Sequence, residues 1–175
     1  MYKIMTRNYI FLTFLLIYTI GISQIKTAAV QSDSEITTTV EQWHKAAADA
    51  NFEAYFNLMT ADAVFIGTDP TENWSLKSFK AFAKPYFDRG KAWSFSTLDR
   101  NIFTQPESNF AWFDELLKTQ MGICRGSGVL EKTIAGWKIK HYVLSIAIPN
   151  ENVKEITSIK QGFDSNLMKL LKEDK

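Results

Sequence analysis

Two side chains in this sequence could move a proton within an enclosed site. His141 belongs to a run with a period of two, and strand alternation predicts that it shares a face with Trp137 and Ile139. Asp69 follows an apolar run at an Asp-Pro turn. A carboxylate at a cavity mouth is partly desolvated and can act as a base, and histidine titrates near neutral pH. Both are therefore candidate catalytic groups. The alternatives are that Asp69 braces its turn and that His141 is a hydrogen-bonded core residue.

An acidic pair and an arginine form the next candidate cluster. Asp114 and Glu115 are adjacent in one strand-like run, so only one of them can face a cavity. Folding the chain back near Gln120 places Arg125 opposite Glu115, or opposite Asp114 if the register shifts by one residue. The pair could position a substrate or form a structural ion pair. Which acid points inward, and which face contains Arg125, stays open at this level.

The sequence has no pattern typical of metal, cofactor or thiol chemistry. His44 and His141 are far apart, and neither belongs to a metal-binding spacing. The single cysteine, Cys124, has no histidine neighbour that would activate it. The glycines of Gly126-Ser127-Gly128 fall inside a strand pattern, where they indicate a bulge or the close approach of a helix. We therefore expect no metal and no organic cofactor, and we interpret His44 as a residue at the edge of the core.

The elements that must position these residues are helices followed by strands. A capping box at Ser32 begins a helix with the apolar stripe Ile36, Val40, Trp43 and Ala47. A short helix, a strand over 63–68 and a third helix beginning at Ser75 follow, with Pro85 expected to kink the third helix or to start a new turn. Four runs of period two come next, over 93–104, 110–119, 123–133 and 137–148. Their short connections predict antiparallel neighbours, and hence an α+β fold in which a curved sheet wraps around the helices.

The ends of the chain suggest a leader and a tail. Lys3 and Arg7 precede a long apolar run, and we interpret residues 1–23 as a signal peptide, with an uncleaved anchor helix as the alternative. This predicts a periplasmic or extracellular protein without stable membrane insertion after cleavage. Residues 24–31 would form a flexible mature terminus, 32–150 the domain, and 151–175 a C-terminal helix or tail.

Charge and composition narrow the partners. Cleavage of the leader removes two of the 20 basic residues and leaves 18 against 19 acidic ones. A near-neutral chain without clustered basic residues lacks the footprint of a nucleic-acid-binding protein. The 24 aromatic residues (13 Phe, 6 Tyr and 5 Trp) instead fit a large core or an apolar cavity.

Three stretches of the chain resemble the SnoaL-like group of the nuclear-transport-factor-two-like superfamily. They are EQWHKAAADANFEAYFNLMTADAVFIGTDPTENW, FAWFDELL and CRGSGVLEKTIAGWKIKHYVLSIAIPN. The resemblance implies a cone-shaped α+β barrel, with the N-terminal helices in the concave face of a mostly antiparallel sheet, a deep pocket, and frequent dimerisation through the outer sheet face. It also places Asp69 near the general base of ketosteroid-isomerase-like relatives, and Trp43 where those isomerases keep a tyrosine.

The favoured hypothesis is a secreted protein that binds a small apolar or carbonyl-containing molecule and forms a homodimer. Its pocket would have Asp69, Arg125, His141 and one of Asp114 or Glu115 as polar groups. The apolar lining would consist of Trp43, Tyr55, Phe65, Trp93, Trp112 and Trp137. One alternative is a cofactor-independent isomerase, cyclase or dehydratase, with His141 or Asp69 as base and Arg125 at a developing oxyanion. Another is an oligomerisation or interaction scaffold without a ligand.

Overall fold

The computed structural model describes residues 33–173. The predicted signal peptide, the residues 24–31 and the helix cap at Ser32 lie outside that range. The described residues divide into two compact units, one that ends at Ser145 and one that begins at Ile146.

The first unit contains three helices, and two strands precede the third of them. Helix α1 covers 33–48, α2 is Phe52–Asn57 and α3 is Leu76–Asp88. All four residues of the predicted stripe on α1 are buried, which confirms the face by which this helix packs. Asn51 caps α2, and Ser75 caps α3 by accepting a hydrogen bond from the backbone N–H of Ser78. Helix α3 runs through Pro85 to its end, so no new helix starts at the proline.

Six strands of the described residues form one sheet in the order β2-β1-β6-β5-β4-β3. Their bounds are β1 Met59–Ile66, β2 Asn73–Ser75, β3 Ser96–Thr104, β4 Phe110–Thr119, β5 Gly122–Thr133 and β6 Gly136–Ile146. The pairs β1 with β2, β3 with β4, and β4 with β5 are antiparallel, whereas β1 pairs with β6 in parallel. The curved, unclosed sheet and its helices make the mixed α+β fold that the sequence predicts. The short strand β2 has no counterpart in the sequence analysis, and β1 begins four residues earlier than expected.

Strand β6 does not keep the simple alternation that the sequence suggests. The register of β1 against β6 shifts between Met59 and Val64, and the buried positions of β6 pass from Ile139 to Tyr142. His141 is only half-buried, and Tyr142 takes the core position beside it. The prediction that His141 shares the core face with Ile139 is therefore wrong, because a shift of one residue exchanges the two faces of a strand.

The second unit contains a short 3-10 turn, Asn150–Asn152, and the helix α4, Val153–Glu173. No residue of α4 is buried, and apolar residues recur along it at Ile156, Ile159 and Phe163. In the part of the chain that the structure describes, none of the helices has the length and apolar character of a membrane span.

Candidate functional site

A buried polar cluster lies between α1 and the sheet, centred on Glu115 of β4. Glu115 has 1% of its surface exposed. One carboxylate oxygen, Oε1, is 2.8 Å from Nε2 of His44 and accepts a hydrogen bond from the Tyr142 hydroxyl at 2.9 Å. The other, Oε2, accepts hydrogen bonds from Nε and Nη2 of Arg100 at 3.0 and 2.8 Å. The carboxylate is thus surrounded by three donor side chains from α1, β3 and β6.

The protonation states in this cluster follow from its contacts. Burial alone would raise the pKa of Glu115, but the hydrogen bond from His44 and the charge of Arg100 outweigh burial and hold that pKa below its ordinary value. Burial, together with the Glu115 carboxylate, raises the pKa of Tyr142 well above its ordinary value. Because an ionised carboxylate only accepts, Nε2 of His44 must carry a proton. With both oxygens occupied, Glu115 holds its three partners in place and is poorly suited to remove a proton from a substrate.

Glycines on β5 make room for this cluster. A Cβ at Gly126 would lie 2.9 Å from Cζ of Tyr142 and 3.0 Å from Cγ of Glu115. A Cβ at Gly128 would meet the ring of Phe113 and lie 2.8 Å from the backbone oxygen of His141. The closest atoms at both glycines belong to strands β4 and β6, so the predicted approach of a helix is wrong, and the register of β4 against β5 has no bulge there.

An apolar cavity of about 170 Å³ opens beside the cluster, at the edge of the sheet where β1, β2 and α3 meet. Six of its lining residues are aromatic. The lining consists of Phe65, Gly67, Thr68, Glu72, Trp74, Phe79, Phe82, Trp93, Phe95, Gln120, Met121 and Leu144. Several of the rings are stacked on one another: Phe65 on Phe79 at 4.1 Å between ring centroids, and Trp74 on Phe82 at 4.5 Å. The stacking gives the cavity stiff aromatic walls.

The cavity and the polar cluster share a wall. Phe95 lines the cavity and contacts the ring of His44 edge-on, with 5.9 Å between the ring centroids. Phe65 also lines the cavity and lies 5.6 Å from the ring of Tyr142. Since His44 and Tyr142 are both fixed by Glu115, the cluster positions two of the rings that bound the cavity.

Of the aromatic residues predicted to form the pocket, only Phe65 and Trp93 line the cavity. Trp43, Tyr55 and Trp137 are instead fully enclosed in the core. Trp43 stacks on Tyr55 with 4.9 Å between ring centroids. The indole nitrogens of both tryptophans lack hydrogen-bond partners among the described residues. Trp43 and Tyr55 lie behind the cavity wall, 6.3 Å from the ring of Phe65 and 5.5 Å from the ring of Trp93, respectively, between ring centroids.

The structure sends the predicted polar residues to different places. Arg125 lies opposite Leu116 and is exposed, so both predicted pairings of Arg125 with an acid are wrong. The β4 and β5 strands are joined through Gln120 and Met121, and this shifts the register by one from the expected pairing. Glu115 points inward and is the buried acid. Asp114 lies on the opposite face of β4, where it accepts a hydrogen bond from the side chain of Asn101.

Two further predicted residues have contacts unlike those of a pocket. The predicted pocket residue Trp112 is 43% exposed on the outer face of β4, where its ring is stacked on Phe103 with 5.8 Å between centroids. Asp69 braces its own turn: Oδ1 accepts hydrogen bonds from the backbone N–H of Thr71 at 2.8 Å and from the Thr71 hydroxyl. These hydrogen bonds lower the pKa of Asp69, which makes it a weaker base.

Sequence reasoning missed Arg100, Tyr142 and the inward position of His44. The hairpin between β3 and β4 pairs Arg100 directly with Glu115, and the turn over 105–109 was the signal that could have found this pair. His44 is 71 residues from Glu115 along the chain, and no local pattern indicates that contact. No group of three or more histidine, cysteine, aspartate or glutamate side chains within residues 33–173 is arranged to hold a metal ion.

The fold is that of a helix-filled, curved-sheet domain of the nuclear-transport-factor-two-like superfamily. Residues 36–149 match the model of the SnoaL-like domain, and the chain belongs to that family. No curated protein is significantly similar to it in sequence.

Solved structures with this fold differ widely in the roles attributed to them. An NTF2-like protein of unknown function from Pseudomonas putida KT2440 is 14% identical with a TM-score of 0.59, the match covering 70% of this chain and 92% of that one. A candidate ketosteroid isomerase from Shewanella frigidimarina is 19% identical with a TM-score of 0.54 (65% and 97% covered). A candidate calcium/calmodulin-dependent kinase II association domain from Exiguobacterium sibiricum is 16% identical with a TM-score of 0.51 (67% and 95% covered). At these identities the likeness shows the fold alone.

Proposed function

We propose that this protein binds a small apolar molecule in the aromatic cavity. The observation that carries the proposal is the cavity itself: about 170 Å³ bounded by six aromatic side chains, Met121 and Leu144. Concave, mostly apolar sites with a few polar groups are the usual form of small-molecule pockets. Burying an apolar ligand there would remove both the ligand and the exposed parts of these rings from water.

The volume sets the size of the ligand. A cavity of about 150 Å³ lined by apolar side chains is large enough for benzene, whereas drug-sized ligands occupy roughly 300–1,000 Å³. At about 170 Å³ this cavity fits one ring with short substituents. We therefore expect monocyclic compounds to bind and four-ring compounds to be excluded.

The reading as an isomerase, cyclase or dehydratase has less support in the contacts. The Asp69 carboxylate is occupied by its own turn, and His141 lies on the strand face opposite Tyr142. Neither residue is part of the cavity lining. A binding role needs neither of them.

Filling the cavity should abolish binding. Replacing Met121 or Leu144 by tryptophan places an indole in the cavity from two different sides, and we expect at least a tenfold loss of affinity for single-ring compounds such as toluene and tert-butylbenzene. A ligand at 100 times its Kd stabilises a protein by about 2.7 kcal/mol, so thermal-shift titration of each variant is a sufficient measurement.

The matched control is Ile123→Trp, which adds the same side chain at a residue that is 52% exposed and does not line the cavity. It should bind as the natural protein does. Unchanged affinity in both Met121→Trp and Leu144→Trp would refute the cavity as the binding site.

A second candidate function, self-association, is favoured by the outer face of the sheet. Phe103, Phe110 and Trp112 are 42%, 45% and 43% exposed there, and Phe103 and Trp112 pair across β3 and β4. Exposed aromatic patches of this kind are typical of protein–protein contacts. We propose that two copies of this chain meet through this face.

If so, Trp112→Lys should convert a dimer to a monomer in sedimentation-velocity measurements, because it puts a charge in the centre of the contact. Ile134→Lys is the control, since Ile134 is fully exposed in the turn between β5 and β6. A natural protein that sediments as a monomer at high concentration would rule out this role.

Secretion, for which residues 1–23 are the support, stays a prediction.

A further inference from the structure

We propose that the aromatic cavity selects organic cations, meaning ring-sized amines or quaternary ammonium compounds, with Glu72 as the counter-ion. This inference rests on the proposed binding function and names the chemical class of the ligand.

The lining of the cavity carries one negative charge and no positive charge. Glu72 is the only residue of the cavity lining with an ionisable acid or base, and the lining contains no lysine, arginine or histidine. No ion pair of the described residues includes Glu72. The carboxylate accepts a hydrogen bond from the backbone N–H of Asp69 at 3.2 Å. A carboxylate at the edge of an apolar cavity, with no ion-pair partner among the described residues, attracts a positively charged ligand more than a neutral one.

The Glu72 carboxylate lies beside Gly67 at the cavity surface. Glu72 lies against Gly67 of the same turn, and a Cβ at Gly67 would be 3.0 Å from Cδ of Glu72. The side chain of Glu72 is half-buried. It occupies the space that a side chain at position 67 would need. Because Gly67 has no side chain, the Glu72 carboxylate can lie at the cavity surface. A larger residue at position 67 would push that carboxylate outward.

The aromatic wall of the cavity also attracts a cation. The face of an aromatic ring carries negative electrostatic potential, so cages of several rings bind ammonium groups, with tryptophan the strongest contributor. Trp74, Trp93 and Phe95 are half-buried and line the cavity, which leaves part of each ring open to a ligand. A cation in this cavity is therefore attracted both by the ring faces and by the carboxylate at their edge. A neutral ring is attracted by the aromatic wall alone.

A second carboxylate, that of Asp69, lies close to Glu72. Asp69 lies three residues before Glu72, and its hydrogen bonds with Thr71 keep it ionised. Two carboxylates at the β1–β2 turn give this end of the cavity a negative potential, which repels anions and attracts cations.

Isosteric probes separate charge from shape. Phenyltrimethylammonium and tert-butylbenzene have nearly the same shape and differ by one positive charge, and benzenesulfonate supplies a negative charge at similar size. In isothermal titration of the natural protein we expect the cation to bind at least tenfold more tightly than the neutral compound. Benzenesulfonate should bind at least tenfold more weakly than the neutral compound.

Glu72→Gln tests the assigned counter-ion, because glutamine keeps an acceptor for the Asp69 N–H and removes the charge. It should weaken phenyltrimethylammonium about tenfold and leave tert-butylbenzene within twofold. The matched control is Glu53→Gln, the same substitution at an exposed residue outside the lining, which should leave the affinity for the cation within twofold. A readout without variants is salt: raising NaCl from 20 to 500 mM, concentrations chosen so that the Debye length falls from roughly 20 Å to 4 Å, should weaken the cation alone.

The outcomes distinguish this inference from the function on which it rests. Equal affinity of cation and neutral isostere, with no salt dependence, overturns the cation preference and leaves the apolar pocket in place. Equal losses of both probes in Glu72→Gln would also overturn the role of Glu72. If neither probe binds, the proposed function and the cation preference fail together.

Discussion

Glu115→Gln is expected to lower the free energy of unfolding by about 3–5 kcal/mol, the usual cost of removing one partner from a buried ion pair. The substitution removes the nearer counter-charge of the Arg100 guanidinium, whose side chain is only 7% exposed, and leaves it only the exposed Glu41 at 3.9 Å. It also weakens the hydrogen bonds that fix His44 and Tyr142. Urea denaturation followed by circular dichroism measures the change.

The control is Asp114→Asn, one residue earlier on the outer face of the same strand, which should change the stability by less than about 0.5 kcal/mol. The double variant Glu115→Leu with Arg100→Met should recover much of the loss, because no charge then stays buried without a partner. Equal stabilities for Glu115→Gln and Asp114→Asn would show that the cluster does not hold the fold.

The same cluster gives the protein a pH dependence of defined sign. Because the pKa of Glu115 is lower in the folded protein than in the unfolded chain, its stabilising effect is fully present above the unfolded value of about 4.3. The effect is lost as the pH falls through the folded pKa. The stability difference between the natural protein and Glu115→Gln should therefore shrink in acid and stay constant near neutral pH.

The second large effect is expected from Gly126→Ala. The added methyl group would lie within van der Waals overlap of the Tyr142 ring and of Glu115, both held by hydrogen bonds, so neither can move aside without breaking the cluster. We expect a loss of about 1–3 kcal/mol, the range found for overpacked cores. Thermal and urea unfolding of the variant give the value.

Two comparisons locate the cause of this loss. Gly162→Ala in α4 meets no atom within 4 Å and should be neutral or stabilising by up to about 1 kcal/mol. Tyr142→Phe removes the hydroxyl that the new methyl group meets, so adding it to Gly126→Ala should cost less than it does in the natural protein. Strictly additive costs would contradict a steric conflict at Tyr142.

Much of the fold could be read from local patterns. The stripe on α1, the cap at Ser75 and the glycine-marked turns each depend on residues close together in the chain, and the structure has all of them. Short hairpins then fix which strands are neighbours. Helix α3 continues through Pro85, which excludes a new helix there, and the expected kink stays a prediction.

The polar site could not be read in the same way, because strand registers decide it. An error of one residue at the Gln120 turn put Arg125 inside and concealed Arg100 as the true partner of Glu115. The irregular pairing of β1 with β6 likewise exchanged His141 for Tyr142. The β1–β6 shift leaves no local signal because these two strands are far apart in the chain, whereas the turn over 105–109 could have indicated Arg100.

The measurement that tests the central claim most directly is a crystal structure of the protein soaked with bromobenzene, with the bromine located by anomalous scattering. The cavity account predicts one strong bromine peak among Trp74, Trp93 and Phe95. Bromine sites confined to the outer face near Trp112, or no ordered site at all, would contradict the assignment of this cavity as the binding site.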